Sequence, residues 1–249
     1  MAPFRLRALL AGASLLVLAP VAASPAVLVE LFTAHGCPFC PPADRLLNAM
    51  GTDPDLSREV VPLSFHVDYW NTRSWNDRFS DPAWTRRQKE YVLAAHASDI
   101  YTPNAVIGGT RQCNGADVGC IHAAVDAERA APQGTVSVSA SALRGDVVEV
   151  VVNAQAPAGA RGLDVMVALY ESGLVTEVTG GENAHKTLHN DYVVRRLERA
   201  FRVDGDAGRT GRVKIKLDKD WVRERLGVAA FLQSPKTHEV RGAAAIALQ

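Results

Sequence analysis

The sequence predicts an α/β domain followed by an all-β, sandwich-like domain. Three observations carry that prediction. From Ala26 to about Ala131, apolar runs of strand length alternate with stretches of helical period. After "APQG" (131–134) the apolar period falls to two, and turn residues punctuate a series of short strands. All four cysteines, Cys37, Cys40, Cys113 and Cys120, lie in the first half.

The chain opens "MAPFRLRALLAGASLLVLAPVAASPA". Arg5 and Arg7 precede a short apolar run from Ala8 to Ala19, and Val21-Ala22-Ala23 is a small-residue cleavage site. This is the pattern of a secretory signal peptide, residues 1–23. The run is shorter than the ~20 residues a spanning helix needs, and no later segment is apolar enough to cross a membrane, so no span is expected in the mature chain. The expected location is the periplasm or the exterior.

In the first domain, 24–132, Ala26 to Phe32 reads as a buried strand. Pro38 to Met50 reads as a helix with Phe39, Ala43, Leu46, Leu47 and Met50 on one face. Glu59 to Val67 is a second strand. Asp81-Pro82 caps and opens a helix through "AWTRRQKEYVLAAHA". Asn104–Ile107 and Thr110–Cys113 form a hairpin about Gly108-Gly109, and Asp117 opens a last helix. In the second domain, 133–249, strands are expected at 135–141, 145–153, 163–170, 174–179, 191–203, 211–217, 228–233 and 238–247, with a short helix near 219–226.

Lys+Arg and Asp+Glu are equal at 27 each, and neither sign forms long runs. The chain therefore lacks the footprint of a nucleic-acid or anionic-membrane partner. An exported chain with an even number of cysteines favours disulfides. Spacing pairs Cys37 with Cys40 and Cys113 with Cys120.

The order strand, Cys-Pro-Phe-Cys, helix is what a redox dithiol needs. A thiol at a helix N-terminus meets unpaired N–H groups and the positive end of the dipole, which stabilise the thiolate. Cys37 is expected to be the accessible attacking thiol and Cys40 the resolving one. The competing readings are a structural disulfide, and half of a four-cysteine zinc site with Cys113 and Cys120, which fits poorly with export and with the wider second gap. Glu30 is the only charge in "VLVELF". A carboxyl in apolar surroundings holds its proton more tightly and can serve a resolving thiol as base; a strand-end glutamate reaching water is the other reading. His35 is expected to be an exposed loop residue, with thiolate stabilisation or metal binding as alternatives. In a redox fold, Pro103 in the cis form would place Thr102 beside the cysteines to pair with a peptide.

"VELFTAHGCPFCPPAD", "LSFHVDYWN", "YTPNAVIGG" and "GENAHKTLHNDYVVRRL" together resemble the secreted thioredoxin-like family catalogued as domain of unknown function 1223. The resemblance implies a thioredoxin-like first domain and a β-rich second one. It implies redox-pair positions for Cys37 and Cys40, the cis-proline position for Pro103 and the buried-acid position for Glu30. His66, Asp68, Tyr69 and Trp70 are expected to line the groove beside the cysteines, against the reading of a polar strand end capped by aromatics. Cys113–Cys120 is expected to be a structural staple worth ~2–4 kcal/mol rather than an electron relay. His185 and His189 fall in a stretch read as solvated loop. The function these readings point to is an exported thiol–disulfide oxidoreductase acting on protein or peptide thiols and disulfides, with no cofactor and no metal. The alternatives are a non-catalytic binding module with structural disulfides, and a copper or zinc carrier using His35, Cys37 and Cys40.

Overall fold

The computed structural model describes residues 26–54, 56–131, 133–142, 145–205 and 207–248; the expected signal peptide lies outside them. In chain order the first half holds β1 (Val27–Thr33), α1 (Cys40–Thr52), β2 (Val60–His66), α2 (Pro82–Ala94), β3 (Asn104–Ile107), β4 (Arg111–Asn114) and α3 (Val118–Arg129). The second half holds β5 (Thr135–Ala142), β6 (Val147–Gln155), β7 (Leu163–Glu171), β8 (Leu174–Glu177), β9 (Thr187–Asn190), β10 (Val193–Val203), β11 (Arg209–Lys216), β12 (Leu226–Gln233) and β13 (Val240–Ala247).

β1 is buried at every position, as its apolar run demands. It pairs in parallel with β2 from Val27↔Val60 to Thr33↔His66, and α1 is the crossover that parallel neighbours require. Successive β1 side chains point to opposite faces. Val27, Val29 and Leu31 pack on Ala43, Leu47 and Met50 of α1 and on Ile121 and Val125 of α3. Leu28 and Phe32 face the other way, into the cluster that holds Trp84 and Tyr91 of α2. Asp81 caps α2 by accepting from the Ala83 N–H, with Pro82 in the first turn as its sequence predicts. Gly108 and Gly109 turn β3 into β4 at φ 60° and 76°, a region that side chains disfavour.

The chain is a mixed α/β structure with a large central sheet and a separate smaller one. The central sheet has the order β13-β12-β7-β10-β2-β1-β3-β4, and β11-β6-β5 form the second. Strand pairing crosses the boundary expected at 132/133: Val193 of β10 is paired with Ser64 of β2, and the Ser64 N–H donates to Tyr192 O at 2.8 Å. Strands of the sandwich-like second half thus continue the sheet of the first half. The reason lies in β7 and β12, whose runs "LDVMVALYE" and "LGVAAFLQ" are apolar on both faces and need cover on both. Val165, Val167, Leu169, Val228, Ala230 and Leu232 pack on Val148, Val150 and Val152 of the small sheet. Ala168, Tyr170, Ala229 and Phe231 share a core with Phe32, Trp84 and Tyr91 of the first half.

Three local expectations also change. The cysteine helix starts at Cys40 rather than Pro38, and the helix expected near 219–226 is one 3-10 turn at Arg223–Arg225. Part of the stretch read as solvated loop is β9, which forms a hairpin with β8. His189 lies on its exposed face, and His185 sits in the preceding turn at φ 67°. Among the described residues no helix is long and apolar enough to cross a membrane.

Candidate functional site

β1 ends at Thr33, and six residues separate it from the first turn of α1. Pro41 and Pro42 open that helix, where a missing N–H costs nothing, and the Phe39 side chain caps nothing. Cys37 therefore precedes the helix and Cys40 is its first residue. The two form a disulfide with Cα atoms 5.4 Å apart. Both are fully buried, which corrects the expectation that Cys37 is accessible; Phe39 between them is 70 % exposed.

The cover over Cys37 comes from two directions. Trp70 lies against the loop so closely that a Cβ on Gly36 would sit 2.9 Å from its carbonyl oxygen. The second cover comes from the β8–β9 hairpin, far away in sequence. Asn183, itself fully buried in the turn of that hairpin, donates its side-chain N–H groups to the carbonyl oxygens of His35 and Cys37, each at 2.8 Å. Gly180 in the same turn would place a Cβ 2.4 Å from Ser74 O, so the hairpin is seated on the 71–75 loop as well.

The expected groove residues divide. Trp70 Nε1 donates to Thr102 Oγ1 at 2.7 Å, linking the segment beside Cys37 to Thr102-Pro103, whose peptide bond is cis. Tyr69 OH donates to Gln88 Oε1 at 3.1 Å, and burial pushes its pKa up to about 12. Gln88 Nε2 in turn donates to Tyr101 O at 2.7 Å. Tyr69 and Tyr101, joined through Gln88, remain 39 % and 41 % exposed. Asp68 is bonded to Thr85 through both its N–H and its carboxylate. His66 turns away into the interior.

There His66 meets His35 and Asp77. His35 is fully buried, not the exposed loop residue its sequence suggests. Asp77 accepts from the His35 N–H at 2.8 Å and the Phe79 N–H at 3.0 Å, and His66 Nδ1 lies 2.8 Å from its Oδ2. His35 Nδ1 stands 3.2 Å from Asp77 Oδ1, while His35 Nε2 is 2.9 Å from Asn190 Oδ1 of β9. One ligating atom from each of His35, His66 and Asp77 lies within 4.8 Å of the other two, so these residues could hold a metal. Burial, reinforced by the neighbouring His66, lowers the pKa of His35 to about 4. Burial works against the charge on His66 and Asp77 too, but their mutual attraction and hydrogen bond outweigh it. His66 is therefore raised and Asp77 held below the usual carboxylate range.

Glu30 does not sit in an apolar pocket. It is fully buried, and its carboxylate accepts from Arg87 Nε at 2.7 Å and from Tyr91 OH. Arg87 also donates to Gln233 of β12, and its guanidinium lies 5.1 Å from the centre of the Tyr91 ring. Glu30 shares its face of β1 with Leu28 and Phe32, opposite the face that α1 packs on. The buried carboxyl on the cysteine helix is Asp44, four residues after Cys40 and so on the same side of α1. It accepts from Thr33 Oγ1 at 2.8 Å, and burial raises its pKa to about 6. Sequence reasoning missed Asp44, Asp77, Asn183 and Asn190. Only Asp44 left a local signal, a charge at a core-facing position of an amphipathic helix.

Cys113 and Cys120 form the second disulfide, joining β4 to the first turn of α3. Cys113 is buried and Cys120 exposed.

Protein AGR_C_4864 from Agrobacterium tumefaciens is similar in structure, with a TM-score of 0.69 at 30 % identity over 88 % of this chain and 93 % of that one. HBP35 of Porphyromonas gingivalis has a similar fold, with a TM-score of 0.62 at 14 % identity over 90 % of this chain and 76 % of that one. No curated protein matches the chain. Residues 28–233 match the family described as protein of unknown function DUF1223, and the chain belongs to that family.

Proposed function

We propose that the chain is an exported thiol–disulfide oxidoreductase of thioredoxin-like build, working on protein or peptide thiols through Cys37 and Cys40. The observation that carries the reading is the Cys37–Cys40 disulfide at the start of α1, with the Trp70–Thr102 link on one side and buried Asp44 one turn along the helix. In the reducing direction the Cys37 thiolate attacks a substrate disulfide, forms a mixed disulfide and releases one substrate thiolate. Cys40 then attacks Cys37 Sγ, releases the second thiolate, and the internal disulfide carries away the two oxidising equivalents. The oxidising direction is the reverse, and the site's potential against its compartment selects between them.

Cys40 must lose a proton to resolve the mixed disulfide. Asp44, whose pKa burial raises to about 6, is suited to accept it; Glu30 is already committed to Arg87 and Tyr91. Reaction also needs the cover to lift, because both sulfurs are enclosed in the disulfide form. The exposed aromatics Phe39, Tyr69 and Tyr101 offer an apolar landing for an extended peptide.

The test is exchange with a disulfide-bonded peptide in redox buffers of stepped potential. Exchange that disappears in Cys37→Ser, with a mixed disulfide trapped in Cys40→Ser, supports the reading. The burial of both sulfurs favours a second one, a structural staple in a binding module. A potential below about −300 mV with no exchange at any buffer composition would establish the staple instead.

A further inference from the structure

The buried cluster ahead of Cys37 has a geometry that hydrogen bonding does not exhaust. His35 comes from the turn after β1, His66 from the last position of β2, and Asp77 from the loop leading to α2. All three side chains are at most 1 % exposed. Asn190 Oδ1 can only accept, so the proton of the neutral His35 ring belongs on Nε2. That leaves Nδ1 as a lone-pair nitrogen. Among the described residues it makes no hydrogen bond, although Asp77 Oδ1 stands 3.2 Å away. Two buried electron-rich atoms at that distance, with no proton aimed from one to the other, are unfavourable unless a cation lies between them.

The separations suit such a cation. A tetrahedral zinc with bonds of ~2.0–2.1 Å sets its ligand atoms about 3.3 Å apart. His35 Nδ1 stands 3.2 Å from Asp77 Oδ1 and His66 Nδ1 2.8 Å from Asp77 Oδ2, one on each carboxylate oxygen, and one ligand atom from each of the three residues lies within 4.8 Å of the other two, so the side chains draw in around the ion as it binds. We propose that His35 Nδ1, His66 Nδ1 and Asp77 form a binding site for a divalent transition ion of zinc type, seated beneath the cysteine loop. Two imidazoles and a carboxylate are the donor set that borderline divalent ions take. Asn190 is the outer partner that fixes the His35 ring, as ligating histidines require. Asp44, close enough for its charge to act on both His66 and Asp77, supplies a second negative charge. Of the two nearby guanidinium groups, Arg195 is neutralised by Glu171 and Arg78 is bonded to Val175 O. Binding displaces the proton that His66 Nδ1 shares with Asp77, in a site whose His35 is already tied to the β8–β9 hairpin through Asn190.

The site is separate from the cysteines and is tested with both disulfides intact, so that sulfur cannot ligate. Chelator-stripped, oxidised full chain is equilibrated with zinc chloride, passed through a desalting column and assayed for retained metal. The expected result is one zinc per chain, with affinity reduced more than tenfold in His35→Gln and in His66→Gln. No retained zinc, or the same affinity in both variants, would overturn the proposal. X-ray absorption of the zinc-loaded natural protein decides the case if either variant fails to fold. Two imidazole nitrogens with oxygen support the site, and a sulfur shell or fewer than two imidazoles removes it.

Discussion

Asn183 holds the carbonyl oxygen of Cys37 from 146 positions away, and the same amide holds that of His35. One buried side chain from the β8–β9 turn thus satisfies two carbonyls of a loop with little regular structure of its own. Such acceptors cost free energy when left unpaired in the interior. The clamp fixes the loop and closes it at the same time.

Asn183→Ala should therefore uncover the disulfide while weakening the fold. Losing the clamp costs about 1–3 kcal/mol, and each ~1.4 kcal/mol taken from closure is a tenfold gain in the open population. Reduction of Cys37–Cys40 by a small thiol, followed by alkylation and mass spectrometry, should be roughly ten times faster. An unchanged rate in a folded variant would mean that the hairpin does not control access.

Glu30 and Arg87 should behave as a buried pair whose halves depend on each other. Glu30→Ala leaves the guanidinium uncompensated and should cost about 3–5 kcal/mol in urea unfolding. Replacing both partners, as Glu30→Leu with Arg87→Met, should recover much of that loss, because two well-packed apolar side chains avoid the desolvation of two charges. If the double variant is as unstable as the sum of the single ones, the pair is not coupled as its 2.7 Å contact implies.

These contacts also show what the sequence can disclose. β1, the helices capped by Asp81 and Asp117, and nearly every second-half strand are legible because period and capping are local properties. Both disulfides are legible from spacing, since short loops close at little entropic cost. The polar interior is not legible in this way. Glu30 finds Arg87 57 residues on, His35 finds Asp77 at 42 and Asn190 at 155, and no periodicity encodes such meetings. His35 reads as loop because its neighbours are a turn, yet the second half of the chain lies over it. The joined sheet was hidden for a related reason: β7 and β12 read as strands, but an apolar run does not say what covers its second face.

The Cys113–Cys120 bridge closes a loop of seven residues in sequence separation, from β4 to α3. Chain-entropy arguments assign such a loop about 2–3 kcal/mol. The Cys113→Ala, Cys120→Ser double variant should lose that amount in denaturant unfolding. Its Cys37–Cys40 pair should still form, read as one remaining disulfide by thiol counting. Failure of that pair to form would show that the two bridges depend on each other.

Asp44 should make the fold less stable as pH rises. Its carboxyl is raised from 3.8 to about 6 by burial, so between those values the folded chain holds a proton that the unfolded chain has released. Stability then falls with rising pH across that window and levels off above it. A displacement of that size corresponds to about 3 kcal/mol at most. An asparagine side chain at this position does not ionise, and its oxygen can still accept from Thr33. Asp44→Asn, with chelator present to keep metal out, should therefore unfold at a higher urea concentration than the natural chain at pH 8. The gap should close toward pH 4, where both carry a neutral group. A residue kept at such a cost to stability is expected to work elsewhere, so the same variant should slow the resolution step assigned to Cys40. Equal stability at pH 8 with undiminished exchange would remove Asp44 from the site.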